Sequence, residues 1–436
     1  MTAFEWKKVF LRTGGRIAVL LLLAVLGLTC YFATNVSRVN ENGDAEKGPG
    51  AVAALRAEKK GWSGPLDEEK LSLVIRENQR IMATPEYQSE DFNQNDIAYS
   101  WRQGFSDIRE LMNRAFARDF QEYDYRRADG VTEEEAGDFY RNRVRLLKEW
   151  LEGDAKDQFS RKEKDWLISR YEQLAVPLFY DYHTGWSQLF EYFPTIAMLA
   201  VLVLGYLVSG IFSNEFAWKA EEVYFASACG RNRGVRAKIK AGLGIVTGVY
   251  FVLVFLYTAV VLGYLGSDGW QCQIQVDQGF WKSFYNFTVW QTYVLMVLGG
   301  YIGCLFFSLL AMWVSAKTKS NVLAGMVPVL LIFVPSFLSN LPGSIVTKVI
   351  ALLPDQLLQI GLAMRYFNLY SLGGRIFGAV PLLFALYTVF SLALIPALYQ
   401  GFACRIGKGK KHKRYWEQKR EPEKGLDEKS RWKKYG

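Results

Sequence analysis

The chain has 436 residues, half of them hydrophobic, yet its mean hydropathy is only +0.02. That average combines long uncharged runs with a strongly charged remainder, which argues against a fully soluble protein and indicates a polytopic membrane protein with a substantial extramembrane part. The net charge of +9 lies mainly beside apolar runs and in the C-terminal tail. This distribution is typical of membrane topology and of attraction to anionic lipid, so we expect no nucleic-acid partner.

Several kinds of chemistry are disfavoured by the residue inventory. The sequence has only two histidines, His183 and His412, which argues strongly against a histidine-based metal site or catalytic triad. Neither a P-loop nor an H-E-x-x-H motif occurs, so we expect no ATP site, no metal and no catalysis in this chain. The five cysteines are scattered, without disulfide or zinc spacing. They are Cys30, Cys229, Cys272, Cys304 and Cys404.

A first apolar run, residues 17–33, follows a short basic N-terminus. The run is long enough to cross a bilayer, and no small-residue cleavage site of the signal-peptide type cleanly follows it. We therefore predict a cytosolic N-terminus and a first transmembrane helix within residues 1–34, because basic residues are enriched on the cytosolic side.

Residues 35–190 are polar and charged, and they contain no run that could span a bilayer. Because the first helix starts inside, this insert is predicted to be extracellular. Its size suits a small, mainly helical domain with its own core. Helix signals recur along it. They are Thr132-x-x-Glu135, Ser160-x-x-Glu163, the acidic start at residues 67–69, and residues 97–120.

Four further apolar runs follow the insert. They are residues 191–213, 241–265, 287–315 and 322–338, with a charged cytosolic loop at 214–240 and the third to fifth helices within 241–340. Gly244-x-x-x-Gly248 and Gly299-x-x-x-Gly303 permit close packing of helices.

Residues 341–375 are apolar but interrupted by charge and proline, including Pro354 and Asp355. We interpret them as extracellular re-entrant or interfacial helices. A seventh span would place the basic tail, residues 401–436, outside, which conflicts with its charge. With a last helix over 376–400, the prediction is an all-α polytopic plasma-membrane protein. It has six transmembrane helices, both termini in the cytosol, and a mainly helical extracellular domain between helices 1 and 2.

The loop around residues 211–240 has an acidic start, an apolar middle and a basic end. One interpretation is a helix in the membrane interface whose basic residues meet lipid headgroups. The other is an ordinary basic loop that follows the positive-inside rule. On charge alone, the two are equally supported.

The residue order in this loop resembles the coupling region of ABC-2-type permeases, the membrane subunits of ABC exporters, in the form common to Gram-positive bacteria. The matching residues are Phe212, Glu215, Ser227, Gly230, Arg231, Asn232 and Lys238. Further matches occur in order along the chain. They are SDIREL at 106–111, F-Y-x-N-R at 139–143, PLFYDY at 177–182, Gly185-Trp186, and Leu353-Pro354-Asp355.

The resemblance implies that the chain forms a dimer with a second copy or a homologous permease, and that each half docks on a separate P-loop ATPase subunit, which holds the ATP and magnesium. The implied cargo is amphipathic, such as an antimicrobial peptide, a lipid or a hydrophobic drug. The implied ATPase-coupling residues are Phe212, Glu215, Lys219, Glu222, Ser227, Gly230, Arg231, Arg233 and Lys238. Arg231, Arg233 and Lys238 would orient the loop on lipid or on acidic ATPase residues.

One position departs from the family pattern. Lys219 stands four residues after Glu215, where the family usually has glycine or another small residue. A long cation there would pack less closely against an ATPase, or be tolerated at a solvated position.

A second function remains open. The chain could be a membrane-anchored extracellular receptor or sensor whose insert binds a ligand and whose tail recruits a signalling partner. The number of spans favours transport, because a sensor needs only one or two.

Overall fold

The computed structural model describes residues 1–227, 230–338 and 344–403. The predicted fold class is confirmed in its main feature, since the chain is mostly helical and contains five helices long and apolar enough to cross a membrane. Two helices open the chain. They are α1, Thr2–Phe10, and the spanning helix α2, Thr13–Thr34. Sequence analysis identified α2 and missed α1.

The insert between the first two spanning helices is largely helical, with two small antiparallel β-pairs. Its elements are β1 (Ser37–Val39), β2 (Ala45–Lys47), α3 (Pro49–Lys60), β3 (Gly64–Pro65), α4 (Glu68–Met82), α5 (Pro85–Gln88), α6 (Phe92–Arg102), α7 (Ser106–Ala115), α8 (Phe139–Glu152), α9 (Arg161–Glu172) and β4 (Phe179–Tyr180). Strand β1 pairs with β2, and β3 pairs with β4.

Both predicted capping boxes are present. The box at Ser160 opens α9 directly, whereas the box at Thr132 opens a 3₁₀ turn, Glu133–Asp138, that leads into α8. The predicted helix over residues 97–120 is wrong as one element. A 3₁₀ turn, Gln103–Phe105, separates α6 from α7, and α7 ends at Ala115.

The insert shares its core with outer loops of the rest of the chain. Leu147 and Trp150 of α8 belong to a buried apolar cluster that also contains Phe284 and Leu369. Arg56 forms an ion pair with Asp268 at 2.5 Å. Because burial and charge both cross this boundary, the insert is attached to the spanning helices over a wide surface.

The remaining helices form the membrane part and its connections. They are α10 (Thr184–Ala217), α11 (Glu221–Ala226), α12 (Val235–Leu265), α13 (Val289–Thr318), α14 (Asn321–Leu338), α15 (Ser344–Ile350), α16 (Ile360–Ala363) and α17 (Ala379–Ala403). A hairpin of β5 (Leu369–Leu372) and β6 (Arg375–Gly378) precedes α17. Long apolar α10 lies at the centre and packs on α2, α12, α13 and α14.

The two glycine pairs have different surroundings. A Cβ atom at Gly303 would lie 2.7 Å from Leu358, and one at Gly299 would overlap Ile360. The two glycines therefore allow the segment after α14 to pack closely against α13. In α12, Gly244 instead makes room for Trp6 of α1. Gly248 has no atom within 4 Å of its would-be Cβ. The prediction of close packing therefore holds for Gly299 and Gly303 and is wrong for Gly248.

Candidate functional site

One end of the helical bundle carries the N-terminus, the α10–α12 connection, the α13–α14 turn and the end of α17. We call it the N-terminal face. Tyr399 of α17 donates a hydrogen bond to Asn232 at 3.2 Å, which ties the last helix to the α10–α12 connection. The insert and the β5–β6 hairpin lie at the opposite end, the insert face.

A buried lysine lies at the centre of the N-terminal face. Lys238, in the second turn of α12, is only 1% exposed. Its ammonium group donates to Glu215 Oε1 at 2.7 Å and to the carbonyl oxygen of Ile211 at 2.7 Å, both on α10. A buried charge is tolerated only where its partners replace water. The pair therefore fixes the start of α12 against the end of α10.

Helix α1 completes this charge arrangement. Glu5 lies 3.4 Å from Lys238, while Lys8 lies 3.0 Å from Glu215 and 3.4 Å from Glu5. The four residues Glu5, Lys8, Glu215 and Lys238, which we call the paired cluster, contain two acids and two bases. Their formal charges cancel, and three separate helices meet through them.

Further polar side chains extend the paired cluster towards the α13–α14 turn. Asn321 donates to Asn214 Oδ1 at 2.9 Å and also contacts Ser213. Arg12 donates to the same Asn214 oxygen at 3.4 Å. Ser315 of α13 donates to Ser213 at 2.8 Å. A displacement of α10 at this face would thus disturb α1, α12, α13 and α14 together.

Aromatic side chains cover the paired cluster from the side of α11. Tyr224 lies with its ring 5.5 Å from the Lys238 ammonium, and burial raises the pKa of its phenol. Phe402 of α17 packs against Phe212, Tyr224 and Phe225 with centroid distances of 4.9–6.1 Å.

The interfacial-helix interpretation is wrong for the buried residues of this segment. Phe212 and Lys238 are enclosed by protein, so neither contacts lipid headgroups or an ATPase surface. Apolar residues of this segment pack on the end of α17 because that helix is within reach. By contrast, Arg233, Arg236 and Lys240 are exposed.

Lys219 has a backbone role that sequence analysis did not identify. It follows α10 with φ +53°, in the left-handed region that favours glycine. The amide of Ala220 donates to the Glu215 carbonyl at 2.9 Å, and the amide of Lys219 donates to Phe216 at 3.1 Å. This is a Schellman motif with Lys219 at its C′ position. A glycine is favoured there for its backbone freedom, and the exposed Lys219 side chain causes no crowding.

The predicted coupling residues fall into two groups. Phe212, Glu215, Gly230 and Lys238 are buried at or beside the paired cluster, and a Cβ at Gly230 would overlap the carbonyl of Tyr224. The exposed group lies around α11 and consists of Lys219, Glu222, Ser227 and Arg233. Arg231 lies in the π-helical turn Gly230–Gly234, and its side chain is outside the described part of the chain.

The predicted re-entrant pair lies away from the paired cluster. Pro354 and Asp355 begin a 3₁₀ turn, Pro354–Gln359, whose later residues pack on α13. Both are buried. Asp355 Oδ2 accepts a hydrogen bond from Gln356 at 2.7 Å, while its Oδ1 has no partner within residues 1–227, 230–338 and 344–403. These two residues therefore position a turn of the segment after α14.

Sequence analysis missed Glu5, Lys8 and Asn321. The signal for α1 is present in the sequence TAFEWKKVF, where Phe4, Lys7, Lys8 and Val9 give an amphipathic pattern close to the N-terminus. No local pattern pairs Glu5 with Lys238, because 233 positions separate them.

The chain was compared with protein families, curated proteins and solved structures. No protein-family model matches the chain, and no curated protein or solved structure matches it.

Proposed function

We propose that the chain is the membrane-spanning permease subunit of an ABC exporter. ATP and magnesium would be held by a separate P-loop ATPase subunit, which docks on the exposed surface around α11. The cargo would be amphipathic, as a peptide, a lipid or a hydrophobic drug is, and a second copy or a homologous permease would complete the pathway.

The observation that carries this proposal is the paired cluster. The short, exposed helix α11 lies between α10 and α12 in the chain. The ion pair between Glu215 and Lys238 joins α10 to α12 beside it. A push on α11 is therefore transmitted to two spanning helices and, through Glu5 and Lys8, to α1. Contiguous packed and charged contacts of this kind are a physical route for coupling between sites.

Six crossings are consistent with the positions of the connections. Helix α14 has 18 residues, which corresponds to about 27 Å of helix and approaches the hydrocarbon thickness. It leads from the N-terminal face to the segment that contains Lys348, whose ammonium group contacts Glu163 of the insert. With α14 counted as a crossing, α1 and the end of α17 lie on one side and the insert lies on the other.

Charge favours the cytosol for the N-terminal face. Basic residues on that face outnumber those beside the spanning helices at the other end. They include Lys7, Lys8, Arg12, Arg16, Arg233, Arg236, Lys240, Lys317 and Lys319. The insert is then extracellular.

Co-purification tests the proposal. Tagged full-length chain taken from its native membrane should bring down a P-loop ATPase, and Glu222→Lys should reduce its recovery because this exposed residue lies on α11. Glu90→Lys, the same charge change on the insert, is the matched control and should recover the ATPase normally. Absence of any ATPase would reject the permease and favour the receptor.

A further inference from the structure

A sizeable cavity lies at the insert face. It has a volume of about 700 Å³, within the range of small-molecule sites. Three segments distant in sequence form its walls. They are the insert around Phe120 and Trp150, the α12–α13 connection around Lys282, and the stretch from α15 to Asn368. We call this cavity the basic chamber.

The described residues that line the basic chamber include three cations and neither aspartate nor glutamate. The cations are Arg114, Lys282 and Arg365. None of them forms a salt bridge within residues 1–227, 230–338 and 344–403. Buried Nε atoms of Arg114 and Arg365 also have no hydrogen-bond partner in the described part of the chain. Unsatisfied buried donors are uncommon and call for an acceptor.

A fourth cation, Arg143, is buried next to Trp281, which lines the basic chamber. Arg143 is 3% exposed and donates to the Trp281 carbonyl at 2.9 Å, but its Nε and Nη1 have no partner among the residues that the structure describes. A small void is lined by Arg143 and also by Arg114, Lys282 and the acid Glu122. Burial lowers the pKa of Arg143 to about 10 and that of Lys282 to about 8, as expected where positive charge is not compensated.

The nearest acids in the insert are already engaged. Asp119 accepts from the amide of Gln121 at 2.7 Å, and Glu122 accepts from the amide of Arg118 at 3.0 Å. Glu110 accepts from the Tyr123 hydroxyl at 2.6 Å. These carboxylates hold local turns, and none of them forms an ion pair with Arg114, Lys282 or Arg365 among the described residues.

The chamber also offers an apolar wall. Phe120 stacks on Trp150 with ring centroids 5.1 Å apart and on Phe367 at 5.8 Å. Ile350 and Ala351 of the α15 segment line the same space. Basic groups beside an aromatic and aliphatic surface suit a ligand that has both an anionic group and an apolar part.

We propose that the basic chamber is a binding site for an anionic amphiphile, with Arg114, Lys282 and Arg365 contacting the anion and Phe120, Trp150 and Phe367 contacting the apolar part. The shared ligand chemistry is one anionic headgroup on short apolar chains, and the site does not depend on the proposed transport activity.

Binding of dihexanoylphosphatidylglycerol to the purified full-length chain in neutral detergent tests the site. Dihexanoylphosphatidylcholine has the same chains and phosphodiester but no net charge, and inorganic phosphate has the anion without the chains. Saturable binding of the glycerol lipid should be about tenfold or more tighter than that of either comparison ligand, because the chamber cations repel the choline ammonium and inorganic phosphate lacks the apolar contacts. Equal binding of the choline lipid overturns the anionic requirement, and equal binding of inorganic phosphate overturns the apolar one.

Variants separate the chamber from the rest of the surface. Lys282→Gln and Arg365→Gln should each weaken binding by about tenfold, whereas Lys282→Arg should retain wild-type affinity. Arg375→Gln, an exposed cation on β6 outside the chamber, should bind as the wild type does. If Lys282→Gln does not yield a monodisperse protein, Arg365→Gln on a separate segment gives the same test. Unchanged affinity in a well-folded Arg365→Gln variant, or no saturable binding to the wild type, overturns the proposal.

Discussion

The N-terminal face and the insert face differ in whether their basic side chains have acidic partners. At the N-terminal face, Lys238 is enclosed with two carboxylates and a backbone carbonyl within hydrogen-bond or ion-pair distance. At the insert face, Arg114, Lys282 and Arg365 line a cavity without an acid among its described lining residues. Lys238 is buried together with its counter-ions, whereas the three chamber cations are partly exposed and have no acid among the described residues that line their cavity.

This difference separates a mechanical role from a binding role. A fully paired buried cluster fixes the relative position of its helices, because breaking any one pair leaves a charge uncompensated. Donors without an acceptor, such as the buried Nε atoms of Arg114 and Arg365 among the described residues, carry a desolvation penalty that an anion can offset. The N-terminal face is therefore suited to transmitting movement, and the insert face is suited to accepting a ligand.

The largest effect is expected from breaking the paired cluster. Lys238→Met should lower the free energy of unfolding by about 3–5 kcal/mol, because it leaves Glu215 buried with only Lys8. Thermal or denaturant unfolding of the purified chain measures this change. Lys240→Met, at an exposed position two residues later, is the control and should change stability by less than about 0.5 kcal/mol.

A double variant sharpens this prediction. Glu215→Leu combined with Lys238→Met removes one acid and one base, and it leaves Glu5 paired with Lys8. Its stability should lie closer to the wild type than to Lys238→Met. Additive losses in the double variant would show that the charges do not act as a pair.

An intermediate effect is expected from pH at the basic chamber. Burial, with Arg114 nearby and Asp119 opposing, lowers the pKa of Lys282 to about 8. Its ammonium form predominates below that pH, so affinity for dihexanoylphosphatidylglycerol should fall as the pH rises through 8, by up to about tenfold. Other groups facing Lys282 are Arg143, Arg365, Glu122 and Gln121, which accepts a hydrogen bond from its ammonium group.

The ligand's phosphodiester does not titrate in this range, so the change reports on the protein. Titration calorimetry at a series of pH values measures it. Lys282→Arg should bind with little dependence on pH, because a guanidinium keeps its charge throughout. A wild-type affinity that stays constant across pH 8 would remove Lys282 from the site.

The smallest effect concerns the backbone at the end of α10. Lys219→Gly should raise the free energy of unfolding by roughly 1 kcal/mol, because glycine adopts the left-handed φ of this position without steric penalty. The same unfolding assay measures it. Lys219→Ala is the matched control: it removes the same side chain but keeps a Cβ, so it should give no comparable gain. Equal gains from both would assign the effect to the lost charge.

Much of the helical architecture was predictable, because a spanning helix is encoded by one continuous run of apolar residues. The predicted run 322–338 corresponds to α14, Asn321–Leu338, and residues 241–265 correspond to most of α12. Capping residues such as Ser160 marked helix starts for the same local reason. Helix α1 was not predicted, because membrane topology alone is enough to explain its basic residues.

The sites were harder to predict, because they depend on contacts between distant segments. Glu215 and Lys238 were both identified from residue order, but their burial as a pair with α1 was not. Arg114, Lys282 and Arg365 have no common sequence pattern and meet only when the insert packs on two outer connections. Residue 219 must adopt a left-handed φ angle, and the identity of the lysine side chain does not indicate this.

Photo-cross-linking in native membranes tests the proposed coupling surface most directly. Val223 of α11 is 77% exposed, and Val349 of α15, which follows α14 at the insert face, is 57% exposed. Replacing Val223 with p-benzoylphenylalanine should give a cross-link to a P-loop ATPase, and the same replacement of Val349 should give none. Failure to capture an ATP-binding polypeptide at Val223, or equal capture at both positions, would contradict the assignment of the N-terminal face as the ATPase-coupling surface.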